Sequence, residues 1–141
     1  MDKIRVLFIC GHNSGRSQMA EAFLDEMAGD QIHVESAGLE PKSVNSLVVE
    51  VMDEIGFDLS KAKSDSVFDF FKEGRLYDYV ITVCDEPAAG QCPVFPGITK
   101  RFHWPFMDPE ALTGTHEEKL EALRGIREQI REKVIDWFKT R

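Results

Sequence analysis

Apolar and polar positions along the chain switch repeatedly between strand-like and helix-like spacing. Val6-Leu7-Phe8-Ile9 is a continuous apolar run, the pattern of a short strand covered on both faces. A turn-rich stretch follows, Cys10-Gly11-His12-Asn13-Ser14-Gly15-Arg16-Ser17, and then Met19, Phe23 and Met27 share one helical face. His33 to Ser36 reads as a second strand closed by Ala37-Gly38. Asn45 is placed to cap a helix carrying Leu47, Val48, Val51, Met52 and Ile55 at helical spacing. Ser64 to Phe71 predicts a shorter helix. Tyr79-Val80-Ile81-Thr82-Val83 is a β-branched run, a third strand ending at Cys84. After a loop with Pro87, Gly90, Pro93, Pro96 and Gly97, a strand is expected through Arg101 to Trp104. Thr115-His116-Glu117-Glu118 is a capping box, and it opens a last helix that turns Leu120, Leu123, Ile126, Ile130, Val134 and Trp137 inward.

Strands alternating with helices imply an α/β fold, a parallel sheet joined by right-handed crossovers with helices on both faces. Ligands in such folds sit at the carboxyl ends of the strands, where Cys10 and Cys84 are placed. The 141 residues suffice for one domain, 1–141, with an ordinary globular mixture of 43% hydrophobic and 30% charged residues. A formal net charge of −8 argues against a nucleic-acid partner, which a basic face would serve. No apolar run approaches the roughly 18 residues of a membrane span, and no signal-peptide pattern leads the chain, so the cytoplasm is the expected location. Three cysteines do not make a disulfide framework. In a reducing compartment they are core fillers, metal ligands or reactive thiols.

Three segments can carry chemistry. Between Cys10 and Ser17 a strand ends, two glycines turn the chain, and a helix begins. Such a loop aims backbone N–H groups at one point, with the positive end of the helix dipole behind them. Gly11, His12, Asn13, Ser14, Gly15 and Ser17 would line the oxyanion site, and Arg16 adds a planar fork for two oxygens of a tetrahedral anion. A thiol in such a field ionises readily; Ser17 is placed to donate to it and Asn13 to brace the turn. A bare cysteine six residues before an arginine also fits an ordinary turn, and the strand–loop–helix setting is what favours chemistry. In the second segment, Cys84 and Cys92 are too far apart for a short zinc pair, so a zinc site completed by His103 or His116 is disfavoured and no metal is expected. They are either separate structural cysteines or a pair that closes into a disulfide and reopens. The third segment is Asp108-Pro109. An Asp-Pro step is commonly a turn, but facing Cys10 its carboxyl would serve as a general acid. His33 and His103 read as strand residues, His116 as a first-turn residue, and His12 as loop lining without a catalytic role. The charges from Glu117 to Lys139 read as a solvated helix face.

Taken together, Cys10 to Ser17 followed by Gln18-Met19-Ala20-Glu21, Ser36-Ala37-Gly38, Val44-Asn45, Cys84 with Cys92, and His103-Trp104 with Asp108-Pro109 resemble the thioredoxin-coupled arsenate reductases. These share the fold of the low-molecular-weight protein tyrosine phosphatases. The resemblance implies a single-domain three-layer sandwich around a mostly parallel four-stranded sheet. It implies that Cys10 is the nucleophile, that Arg16 and the loop amides hold the oxyanion, and that Asp108 is the acid. It also implies a disulfide relay through Cys10, Cys84 and Cys92, recycled by thioredoxin or a similar thiol reductant without metal or organic cofactor. The expected substrate is arsenate, with phosphate and sulfate as mimics, and the expected state is a monomer.

Three departures stand out. Gly15 occupies the place of a second loop cysteine, and the relay cysteines lie one residue further apart than the family pattern. Some relatives hold potassium at positions matching Asn13, Glu21, Ser36 and Asp65, a place that the Lys63 ammonium is expected to fill. The nearest rival is a tyrosine phosphatase, which would have no use for Cys84 and Cys92 and would place aromatic side chains beside the acid. Glu110, Ala111 and Leu112 stand there instead. A non-catalytic oxyanion sensor or a phosphocarrier leaves Asp108 and the cysteine pair without a role.

Overall fold

In a computed structural model of the chain, residues 3–84 and 95–141 are described. The order is β1 (Ile4–Cys10), α1 (Arg16–Ala28), β2 (Ile32–Gly38), α2 (Ser46–Asp53), α3 (Val67–Lys72), β3 (Tyr79–Thr82), β4 (Lys100–His103), a 3-10 turn (Pro109–Ala111) and α4 (His116–Thr140). The four strands form one sheet in the order β2-β1-β3-β4, every neighbouring pair parallel. Placing β1 and β3 side by side brings the ends of the first and third apolar runs together, with Ile9 opposite Thr82.

The alternation of side chains along β1 divides the core in two. Val6, Phe8 and Cys10 belong to a large cluster with Met19 and Phe23 of α1, Val48 and Met52 of α2, and Leu123 and Ile130 of α4. Leu7 and Ile9 face the opposite way, into a smaller cluster with Val67 and Phe70 of α3, Tyr77, Val80 and Phe95. Helices therefore cover both faces, as the alternating pattern predicts. Among the described residues no helix is long and apolar enough to cross a membrane.

Four details differ from expectation. The short helix starts at Val67 rather than Ser64, because the Ser66 side chain accepts from Phe68 N–H as its N-cap. Ile55 lies beyond α2, which ends at Asp53. The fourth strand is Lys100–His103, with Trp104 N–H still donating to the Thr82 carbonyl at 2.7 Å. On α4, whose predicted capping box at Thr115 and Glu118 forms, Arg127 is buried rather than solvated. Its Nη1 donates to the Val51 carbonyl at 2.8 Å and to Glu54 at 2.9 Å.

Candidate active site

Cys10 ends β1 and is buried at the base of the loop. Its Sγ takes the Asn13 backbone N–H at 3.1 Å and lies 2.9 Å from Ser17 Oγ. The loop turns tightly enough to hold Asn13 at a φ of 52°, a left-handed conformation that asparagine tolerates. Asn13 fixes the direction of the whole network. Its Oδ1 accepts the backbone N–H of Asp65 at 3.0 Å, so its Nδ2 is the atom that donates, to Ser17 Oγ at 2.7 Å and Ser36 Oγ at 2.9 Å. Ser17, receiving that hydrogen, is left to turn its own O–H toward the Cys10 sulfur, where it stabilises negative charge. Gln18 reaches back from α1 to the Asn13 carbonyl at 3.1 Å and the Lys63 carbonyl at 3.0 Å. At Gly38 the end of β2 runs against the loop. A Cβ there would lie 2.6 Å from Asn13 N and 2.7 Å from the His12 carbonyl carbon, so only glycine admits this approach.

Above the thiol, Cys10, His12, Ser14, Gly15 and Arg16 line a small pocket with Asn45, Asp108, Pro109 and Glu110. The N-terminus of α1 opens at Gly15 and Arg16 with no acidic residue in its first turn, so its dipole is left uncancelled toward the pocket. Arg16 is buried, with Nη1 donating to the Phe106 carbonyl at 3.0 Å and Nη2 at 3.9 Å from Asp108 Oδ2. Asp108 caps the 3-10 turn through Oδ1, which accepts Glu110 N–H at 2.9 Å, and this presents the carboxyl to the pocket. The structure thus brings Cys10, Arg16, Ser17 and Asp108 together, as the resemblance implies.

Cys84 lies two residues past Thr82 in β3 and is fully buried in the same cluster as Cys10. The strands stay joined beyond the register, with Val83 N–H on the Ile9 carbonyl at 2.8 Å. Cys10 is a free thiol. Cys92 lies outside the described residues.

Beside the loop, Ser36 donates a short hydrogen bond to Glu21, whose carboxyl burial holds above its ordinary range. Glu21, Ser36 and Asp65 line one hollow with Glu35 and Arg75. Lys63 does not fill it: its exposed side chain lines a separate groove with Pro41, Lys42 and Val44. Asn13 offers potassium little. Its carbonyl is taken by Gln18 and Ser64, its Oδ1 by Asp65 and Gln18, and its Nδ2 hydrogens go to Ser17 and Ser36. Among the described residues no cluster of histidine, cysteine and carboxylate side chains has the form of a metal site. His103 bonds Thr82 Oγ1 at 2.7 Å and His116 approaches Glu50 at 3.1 Å, both at the surface.

The residue patterns missed three contributors. Gln18 is an ordinary helix position in the pattern, Ser64 reads as helix, and Asn45 reads only as a cap. The cap is real, accepting Leu47 N–H at 2.8 Å, yet the same residue lines the pocket.

Comparison with known proteins agrees with this geometry. Residues 5–140 match the family model described as low molecular weight phosphotyrosine protein phosphatase. An arsenate reductase of Halalkalibacterium halodurans is 39% identical over 140 residues, 99% of each chain. A solved arsenate reductase in its oxidised state aligns over 94% of both chains with a TM-score of 0.77 and 32% identity. A Corynebacterium glutamicum thioredoxin-dependent arsenate reductase aligns over 94% of this chain and 62% of its own, with a TM-score of 0.64 and 32% identity. This chain belongs to the low molecular weight phosphotyrosine protein phosphatase family, and within it to the arsenate reductases.

Proposed function

We propose that the protein reduces arsenate to arsenite by a thiol relay. The observation that carries this reading is Cys10 Sγ held between Asn13 N–H and Ser17 Oγ under a small pocket, with the buried Cys84 just past the end of the adjoining strand. A hydrolase needs the first feature and has no use for the second.

The Cys10 thiolate attacks arsenic and forms an S–As bond while Asp108 gives its proton to the departing oxygen, which leaves as water. Arg16 and the α1 N-terminus hold the remaining negative oxygens. The Cys84 thiolate then attacks Cys10 sulfur; an S–S bond forms, the S–As pair stays on arsenic, and arsenic(V) leaves as arsenic(III). The Cys92 thiolate attacks Cys84, the disulfide moves to Cys84–Cys92, and Cys10 returns as a thiolate. An outside dithiol of the thioredoxin kind supplies the two electrons that reopen Cys84–Cys92. A cycle resting on free thiols suits a reducing compartment such as the cytoplasm.

The test is arsenate-dependent NADPH oxidation coupled through thioredoxin and its reductase. The unaltered protein turns over, and Cys10→Ser loses turnover entirely while it stays folded and still binds phosphate. Turnover near the original rate in Cys10→Ser would mean that the nucleophile is misassigned.

A further inference from the structure

The pocket combines donors with a few acceptors, the carboxyls of Asp108 and Glu110 among them. Loop N–H groups, the α1 N-terminus and Arg16 all donate, and such a set grips any tetrahedral dianion alike. Monoprotonated arsenate and phosphate differ from sulfate in carrying an O–H, which loses affinity if it enters a site with no acceptor for it.

Two lining residues have their hydrogen-bonding directions fixed by contacts outside the pocket. Asn45 Oδ1 accepts Leu47 N–H and its carbonyl accepts Val49 N–H at 3.1 Å, so its Nδ2 donors are what it can offer an anion. His12 Nδ1 lies 2.9 Å from the Glu40 carbonyl oxygen. A carbonyl only accepts, so in the neutral ring Nδ1 carries the hydrogen and Nε2 carries the lone pair. The backbone bonds Glu40 N–H to Gly11 at 2.8 Å and Lys42 N–H to His12 at 3.0 Å brace the loop that presents this ring. The other acceptors are less suited. Asp108 has Oδ1 on Glu110 N–H and Oδ2 turned to Arg16, and Glu110 is exposed.

We propose that His12 is a specificity-determining residue of the oxyanion pocket. Its Nε2 accepts the hydroxyl hydrogen of monoprotonated arsenate or phosphate while Asn45 Nδ2 donates to a neighbouring oxygen, and the pocket thereby prefers these anions to sulfate. This rests on the oxyanion reading of the loop.

Isothermal titration of inorganic phosphate and of sulfate into the full chain tests it, at about pH 8.5, on the basic side of the ordinary imidazole range. The unaltered protein should bind phosphate about tenfold more tightly than sulfate, the scale of one hydrogen bond to an ion. His12→Ala should remove most of that preference by weakening phosphate, leaving sulfate within about twofold of its original affinity. His12→Lys, which sets a donor where the acceptor stood, should reverse the preference. Absence of a preference in the unaltered protein overturns the proposal without any variant. Equal weakening of both anions, or a preference unchanged in both variants, overturns it as well. A preference lost in Asp108→Asn but kept in His12→Ala assigns the acceptor to the acid and overturns it too. Failure of both anions to bind the unaltered protein is a separate result, which takes the oxyanion reading of the loop down with it.

Discussion

Asn13 joins a left-handed backbone to a carboxamide whose Nδ2 serves two hydroxyls and whose Oδ1 serves the backbone of Asp65. Asn13→Ala keeps the strained backbone and removes the side-chain bonds, leaving buried partners unpaired. The expected loss is about 2–4 kcal/mol of unfolding free energy, from left-handed strain and unmade hydrogen bonds. Urea unfolding measures that loss, and arsenate turnover should fall with it because Ser17 loses its orientation. Gly15 tests the site differently. A Cβ there would lie 3.3 Å from Pro109 Cγ and 3.3 Å from Val48 Cγ2, so the family's loop cysteine would fit only if these neighbours yielded. Gly15→Cys should cost about 1 kcal/mol by overpacking. It should also move the Asp108–Pro109 turn off its position, lowering kcat several-fold with less effect on KM, which steady-state kinetics separates.

Helix α2 sits over the site and is clamped to α4 by one carboxylate. Glu54 accepts from Arg124 at 2.8 Å and from Arg127 at 2.9 Å, and the Arg124 hydrogen bonds lead in holding its carboxyl down at about 2. A carboxyl lowered from 4.5 contributes stability present above that value and lost as pH falls toward about 2. Glu54→Gln should therefore be less stable at neutral pH, with the gap to the unaltered protein closing between those two values; urea midpoints across that range show it. Elements of this kind were legible where one pattern served one purpose. The apolar face of α4 and its capping box were readable because burial and helical spacing coincide. Arg127 was not, because an arginine at a helical position looks the same whether it meets water or a carbonyl of α2. Residues 64–65 were misread as helix for a related reason: Ser64 O–H and Asp65 N–H are spent on Asn13, a partner some fifty positions away.

For the whole molecule, the parallel order β2-β1-β3-β4 is what brings Cys10 and Cys84 to the ends of adjoining strands, and the proposed relay can be stopped along that path. Cys92→Ser treated with arsenate should stall with a Cys10–Cys84 disulfide, whereas the unaltered protein should show Cys84–Cys92; peptide mapping by mass spectrometry distinguishes them. Slow hydrolysis of small aryl phosphates needs only Cys10, Arg16 and Asp108, so it should survive Cys84→Ser. Its loss in a folded Cys84→Ser protein would undo that division of labour. Cys10, Arg16 and Asp108 were legible as candidates because loop, strand end and Asp-Pro step each leave a local mark. The contributions of Gln18, Ser64 and Asn45 were hidden, since each depends on where the fold carries a side chain rather than on its neighbours in sequence. The contact at Gly38 has its consequence in time. Because β2 presses on the backbone of His12 and Asn13, the loop takes its shape when the sheet forms, before any anion arrives. Capture then needs no slow rearrangement: approach to equilibrium in a rapid-mixing experiment should be a single exponential whose rate rises linearly with phosphate concentration.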